Sequence, residues 1–448
     1  MGAVKPKKID FRRTVKYRNA VGIVQALKAA GHEAFLVGGC VRDLVMGRAP
    51  KDYDVATDAR PEEVAKRFRR VIPVGVQFGV QMVMIGKTPY EVATFRTDQE
   101  YRDGRHPEGV VFSNPKEDAL RRDFTVNGLF YDPLKKEVID YVGGREDLKR
   151  RVIRAIGDPA KRFAEDRLRM LRAVRFAATL DFQLDPATLK AAQAAAGKIL
   201  EVSPERIRDE LVKLFTGPRP GRGLKLLDES GLLHFILPEA ERMKGVPQPP
   251  EFHPEGDVFI HTRMVLDGVA DSSPVVAMGA LLHDIGKPST YRVAERIRFD
   301  GHDRVGARMA QEICRRLRFS NADTEAITDL VGEHMRFKDV RQMRLSTLKR
   351  FMANSIFPEH MMLHRADCMG SHKDLTNWKF LRRKLKELPK QEIKPKPLIN
   401  GHDLLRLGYP EGPQVGLILK AVEERQLEKE LTSKPQALAW VEEAFPRK

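Results

Sequence analysis

The chain has 448 residues, 42% of them hydrophobic and 31% charged, with 79 Lys+Arg against 62 Asp+Glu and a formal net charge of +17. That length suits roughly two to four domains, and the composition affords cores and excludes global disorder. No apolar run approaches the ~18–20 residues that span a bilayer, the basic start MGAVKPKKIDFRRTVKYR lacks the apolar region of a secretory signal, and Cys40, Cys314 and Cys368 fit neither a disulfide framework nor a zinc spacing. A soluble, cytoplasmic protein with no membrane contact is expected. Its basic excess points to a polyanionic partner, nucleic acid first.

In the first 145 residues strands and helices alternate. EAFLV (33–37) reads as a short buried strand, broken by Gly38-Gly39 before a helix in VRDLVMG. KDYDVAT (51–57) alternates as a half-buried strand does. PEEVAKRFRR (61–70) is helical with Pro61 at its start, and QMVMIG (81–86) and YEVATFR (90–96) are further strands. Thr97 to Pro115 has charge, Gly and Pro but no period, so a long mobile loop is expected, more often functional than incidental at that length. From 146 to about 240 the pattern is helical without a strand signal. VPQPPEFHPEGD (246–257) reads as a linker; helices rich in histidine follow to about 375, and then a basic run and further helix. The expected domains are 1–145, 146–245, 258–375 and 376–448.

Asp52 and Asp54 are two apart on a predicted strand, so both carboxylates share one face. Close carboxylates repel unless cations neutralise them, which suits Mg²⁺. Gly38 and Gly39 after a strand let backbone N–H groups approach phosphate oxygens, and Arg42 at the next helix start can bind the same phosphates. Taken singly, these would be solvated acids and an ordinary turn.

The full string LVGGCVRDLVMGRAPKDYDVAT resembles the signature of the class II tRNA nucleotidyltransferase and bacterial poly(A) polymerase family, within the polymerase β-like superfamily. EVATFR (91–96) resembles the strand after its metal site. Glu91 is then the candidate third acid, or else a partner for a nearby arginine. RRDFTVNGL (121–129) resembles the ribose-recognition motif, with Arg122, Asp123 and Asn127 facing ribose and phosphate. EDRLRMLRAVRF (165–176) resembles the motif that selects the base, through Asp166 and Arg169 on one helical face; a plain i,i+3 ion pair is the alternative. Arg172 and Arg175 continue the basic face toward phosphates or RNA. SPERIRDELVKLF (203–215) resembles a supporting motif, with Ser203 as N-cap and Arg206 and Arg208 in the first turns.

The resemblance covers about residues 1–245. It implies an α+β fold: a small N-terminal mixed sheet as nucleotidyltransferase head, then an elongated all-α neck, body and tail. Val76 and Gln77 stand where poly(A) polymerases of the family carry a basic pair, and RTDQEYRDGRHPEGVVF (96–112) is a well-charged loop. The first feature resembles the tRNA nucleotidyltransferase version, and the loop favours either full CCA addition or addition of A; the commoner member of the family, which adds C, C and A to tRNA from CTP and ATP, is the expectation. Addition of A alone, poly(A) synthesis and a decayed transferase that only grips RNA are the rivals.

His261, LLHDIGK with His283 and Asp284, GHDRVGA with His302, EHMRF with His334 and HRADCMGSH with Asp367 follow in an order that resembles the HD phosphohydrolase superfamily. It implies a divalent metal, of unspecified identity, on His261, His283, Asp284 and Asp367. His302 and His334 would be extra ligands, phosphate contacts or solvated histidines. A purely structural domain that extends the tRNA-binding surface is the alternative. The sequence does not set the oligomeric state.

Overall fold

Short runs of β-branched and aromatic residues, cut by glycine and proline, give nine strands before residue 145 among the described residues. In the computed structural model, which describes residues 14–75, 79–98 and 110–446, these are β1 (Ala34–Val37), β2 (Asp54–Thr57), β3 (Val71–Gly75), β4 (Val80–Ile85), β5 (Thr88–Thr94), β6 (Arg96–Asp98), β7 (Val110–Phe112), β8 (Leu129–Asp132) and β9 (Glu137–Asp140). Seven of them form one sheet in the order β3-β4-β5-β2-β1-β8-β9. β2 and β5 run parallel and the other neighbours antiparallel, so the sheet is mixed. The fold is α+β, with the sheet in the N-terminal half and helices dominating the rest.

Two local expectations give way to tertiary context, and one unexpected strand appears. KDYDVAT does not form a half-buried strand: β2 starts only at Asp54, and Val55, Ala56 and Thr57 are all buried. It lies between β1 and β5, where both faces are covered and alternation is lost. The strand VIPVG, which carries Pro73, is tolerated because β3 is a sheet edge with a register shift between Pro73 and Gly75. The expected loop from Thr97 to Pro115 has paired ends: β6 and β7 are antiparallel, and Asn114 caps the helix Pro115–Leu120. Residues 99–109, and Val76 and Gln77, lie outside the described residues.

One face of the sheet closes on Phe35, Phe95 and Phe130, whose ring centroids lie 6.1–6.3 Å apart. The helix Val15–Ala29 packs against β1 and β2. Helix starts are written as a cap followed by proline: Asn114-Pro115, Asp158-Pro159, Asp185-Pro186 and Ser203-Pro204. Ser203 holds the N-cap position as expected, without a side-chain cap hydrogen bond. Two-residue strands at Val152–Ile153 and Gln183–Leu184 pair in parallel inside the helical stretch, too short to show a period.

The chain divides into two units between Glu241 and Arg242. In the second unit the helices Val258–Gly268, Pro274–Leu282, His302–Arg316, Asn321–Glu333 and Phe357–Gly370 pack together. A short hairpin pairs Arg292–Val293 with Ile297–Arg298. Smaller cores follow around Phe337, Phe351 and Leu381, and around Leu404, Ile418 and Val441. The segment 246–257 is not a free linker: Pro247 and Asp257 form a β-bridge, and Gln248 is buried. Among the described residues no helix is long and apolar enough to cross a membrane.

Phe130 is fully buried between the other two rings. Phe130→Ala should cost about 3–5 kcal/mol of the first unit's stability, read in a urea titration. A loss under 1 kcal/mol would show that the cluster repacks.

Candidate active sites

The first site grows from the end of β1. Gly38 there has φ +75°, a conformation that favours glycine, and a Cβ would meet Arg122 Nη1 at 3.1 Å. It caps the helix Gly39–Val45, which carries Arg42. The register sets Val37 against both Asp54 and Phe130, so the glycine turn sits between the start of β2 and the start of β8.

These elements wall a cleft of about 420 Å³. Of the expected residues it is lined by Gly38, Gly39, Arg42, Asp54, Arg122, Asp123, Asn127, Asp166, Arg169 and Arg172. Arg121 and Phe176 line it too, beyond expectation. Arg175 does not; it turns to Glu210, 2.5 Å away.

Each guanidinium in the cleft is held from behind. Arg42 donates to Asn127 Oδ1 (2.8 Å) and to Asp43 (2.9 Å). Asp118, buried one helical turn before Arg122, takes Arg121 at 2.7 Å and Arg122 at 2.9 Å. Arg172 grips Asp123 at 2.6 and 2.9 Å. Burial pushes the Asp123 carboxyl up, but Arg172, the Asn127 amide and the Phe124 N–H outweigh it and hold it below the usual carboxylate range. The ring of Phe176 lies 5.5, 5.3 and 4.0 Å from the guanidinium carbons of Arg42, Arg172 and Arg175. The signal for Phe176 was its place four residues after Arg172, on the same helical face.

Asp166 and Arg169 do not share a helix. The helix Pro159–Glu165 ends at Asp166 (φ −142°, ψ 107°), and the next runs Leu168–Leu180. Asp166 accepts from the Leu168 N–H at 3.1 Å, a local bond that competes with a continuous helix. Nor do the two pair with each other. Asp166 takes Arg206 at 2.9 Å, from the helix Pro204–Phe215. Arg169 is fixed by Glu165 (2.5 Å) and the carbonyls of Arg162 and Arg121.

Asp52, Asp54 and Glu91 are less gathered. Asp52 precedes β2 and its side chain is 88% exposed, 3.7 Å from Lys16. Glu91 is exposed on β5. They are not among the triads of the described residues whose ligand atoms lie within 4.8 Å of one another. Charge still couples them: burial, then Glu91 and Asp52, push the Asp54 carboxyl up to about 6 against the pull of Arg122. A mutually repelling set of carboxylate oxygens is chemically suited to a hard divalent cation.

The second site lies wholly in the second unit. His261 Nε2 is 3.1 Å from Asp367 Oδ1 and 3.3 Å from His283 Nε2. Asp284 faces two ways: Oδ2 lies 3.2 Å from His283 Nε2, and Oδ1 lies 3.5 Å from His302 Nε2 and 3.8 Å from His334 Nε2. The structure thus joins all four expected ligands. It also buries His302 and His334, which are not solvated, with their Nε2 atoms 3.2 Å apart. Nδ1 of His283, His302 and His334 lies 2.7–2.8 Å from the carbonyl of Ala280, Phe299 and Val331. A carbonyl only accepts, so each Nδ1 carries a proton, and each Nε2 of a neutral ring offers its lone pair. Lone pairs that converge in pairs fit cations between them, and the imidazole–carboxylate donor set fits a borderline divalent metal. Burial and the neighbouring His302 and His283 hold His334 down at about 4. Above this centre is a pocket of about 540 Å³, rimmed by Lys338, Arg296 and Arg298 and walled by Phe252 and Phe299.

Gly286 sets the approach of the two halves of this centre. A Cβ there would lie 2.2 Å from the His302 carbonyl and 2.7 Å from the Gly306 nitrogen. Only glycine lets the helix His302–Arg316 come this close behind Asp284.

Residues 34–154 match the poly A polymerase head domain, residues 181–244 the "Probable RNA and SrmB- binding site of polymerase A", and residues 258–368 the HD domain. Over 221 residues, 49% of this chain and 54% of the relative, the sequence is 46% identical to a CCA-adding enzyme of Geobacillus stearothermophilus. Over 222 residues, 49% and 55%, it is 42% identical to one of Streptococcus suis. The chain spans about half the length of the curated relatives it matches. The crystal structure of Bacillus stearothermophilus CCA-adding enzyme in complex with CTP is similar with a TM-score of 0.75 at 29% identity, over 96% of this chain and 98% of that one. Thermotoga maritima CCA-adding enzyme, solved with tRNA, shares the fold at 18% identity and a TM-score of 0.59, over 98% and 96%.

Gly286→Ala should lower the metal retained by the second unit. Metal analysis after dialysis against Mn²⁺ checks this; unchanged Mn²⁺ per chain would show that the helix can retreat without loss.

Proposed function

We propose that this chain, which carries a poly A polymerase head, its RNA-binding segment and an HD domain, is a nucleotidyltransferase that adds C, C and A to the 3′ end of tRNA. The observation that carries the reading is the cleft whose lining holds both Asp166 and Arg169, each immobilised by a different partner. Cytosine and adenine both pair an exocyclic amino donor with a ring-nitrogen acceptor. A carboxylate accepts from the first and a guanidinium donates to the second. Guanine and uracil present a carbonyl to that carboxylate and are repelled. Selection without a nucleic-acid template follows, provided that the two side chains are held rigid.

In this reading Arg42 and Arg122, beside the Gly38-Gly39 turn, bind the triphosphate of CTP or ATP. Asp123 and Asn127 meet the ribose hydroxyls, while Arg172 and Arg175 steady the basic wall. Asp52 and Asp54, with Glu91 as the third acid, would hold Mg²⁺, which supplies activation of the tRNA 3′-hydroxyl and neutralises the departing charge. The 3′-oxygen attacks the α-phosphorus, the bond to the β-phosphate oxygen breaks, and pyrophosphate leaves. Residues 1–145 form the head, 146–245 the neck, 258–375 the HD domain and 376–448 a tail that grips tRNA through its backbone. The reaction belongs with the tRNA pool, in the cytoplasm.

The second centre supports an added phosphohydrolase reading. The paired imidazole–carboxylate sets around Asp284 suit metal-assisted hydrolysis of a phosphate ester, and a 2′-phosphorylated or 2′,3′-cyclic nucleotide is the proposed substrate. Release of phosphate, lost in His283→Ala, is its test.

Two tRNA transcripts, one ending at the discriminator base and one ending in CC, test the main reading. CTP twice, then ATP once, then a stop is expected. Extension of only the CC-ended transcript would make the chain an A-adding enzyme, and long tails on unstructured RNA a poly(A) polymerase. Arg169→Ala should blur CTP/UTP discrimination more than it weakens tRNA binding; unchanged discrimination counts against the base-reading pair. Asp54, raised to about 6, is ionised above that pH and protonated below it. The Mg²⁺ concentration needed for half-maximal rate should therefore climb as pH falls from 7.5 to 5.5. A flat Mg²⁺ requirement over that range would remove Asp54 from the metal site.

A further inference from the structure

The segment 246–257 reaches the HD centre from both of its ends. Gln248, 2% exposed, accepts a 2.6 Å hydrogen bond from Lys287 Nζ, and the same ammonium lies 2.7 Å from Asp284 Oδ2. At the other end the Glu255 side chain is 5% exposed, and its Oε1 lies 2.7 Å from His261 Nδ1 and 2.9 Å from His253 Nδ1. The segment is closed on itself: the Gln248 N–H donates to the Gly256 carbonyl, the Val258 N–H donates to the Val246 carbonyl, and Asp257 caps the helix that carries His261. Glu255 is thus fixed by backbone bonds just before that helix.

His261 differs from the other three histidines at one atom. Their Nδ1 atoms face backbone carbonyls; the Nδ1 of His261 faces a carboxylate. Its Nε2 points at Asp367 and His283. A buried carboxylate is costly to keep without a partner, and this one stands between two imidazoles, 2.9 Å from His253 Nδ1 and 2.7 Å from His261 Nδ1. We propose that Glu255 is a positioning residue of the HD centre. It holds the proton of His261 on Nδ1, fixes the ring, and makes Nε2 a stronger donor to a divalent cation than a carbonyl behind it would. The inference rests on the reading of His261 as a metal ligand.

The test uses full-length protein stripped of metal and titrated with Co²⁺, with the visible d–d absorption as readout. Glu255→Ala should bind Co²⁺ about 10–100-fold more weakly, with a shifted band, while the metal-free variant melts as the wild type does. Glu255→Gln keeps shape and acceptor but not charge, and should fall between the two; it decides the matter should the alanine variant fail to fold. Wild-type affinity and spectrum in both variants would overturn the inference while leaving the metal site standing. A wild type whose Co²⁺ band is absent, or persists in His261→Ala, would bring down the metal reading and this inference with it.

Discussion

Five guanidinium groups, from Arg42, Arg121, Arg122, Arg169 and Arg172, line one cleft, and the acids behind them offset the repulsion of like charges gathered there. Asp118, Asp123, Glu165 and Asp43 each take one or two of them. Removing one partner of a half-buried ion pair leaves the other uncompensated, which is the costly event. Burial pushes Asp118 up, yet Arg122 and Arg121 hold its carboxyl below the usual range. The charges that would meet a polyphosphate are therefore also the ties between the sheet and the helices. Asp123 follows the helix Pro115–Leu120, and Arg172 belongs to the helix Leu168–Leu180. Glu210 draws in Arg175, Arg172 and Lys213 from a third element.

The HD centre solves the opposite problem. There the concentrated groups are lone pairs, and the backbone does the arranging. Carbonyls of Ala280, Phe299 and Val331 fix three imidazoles, and Asp284 faces both pairs with one oxygen each. Lys287 sits on Asp284, and with His283 it outweighs burial and holds that carboxyl well below its usual range. An ionised aspartate and neutral imidazoles are the protonation states that bind metal.

Much of the first cleft was legible because its parts are local. A strand end, two glycines and an arginine within one turn build the Gly38–Arg42 corner, and RRD with Asn127 stays within a few residues. The HD residues were legible by order. What failed was any reading that took a motif as one regular element. EDRLRMLRAVRF contains a helix break, because Asp166 bonds the Leu168 N–H. KDYDVAT lost its alternation in the middle of a sheet. VPQPPEFHPEGD has the composition of a linker, yet Gln248 and Glu255 are buried against charged partners.

The sequence by itself determined the strand-glycine-helix turn, the cap-proline helix starts, the alternation of strands and helices in the first half, and the roster of residues with chemistry. Those depend on backbone preferences and neighbours within about one or two turns. The tertiary structure alone decided which charge answers which. Asp123 meets Arg172 across 49 residues, Asp166 meets Arg206 across 40, and His261 meets Asp367 across 106. Periodicity says which face a side chain takes but not what stands opposite it. A buried ion pair or a shared metal position exists only once packing has excluded water from both partners.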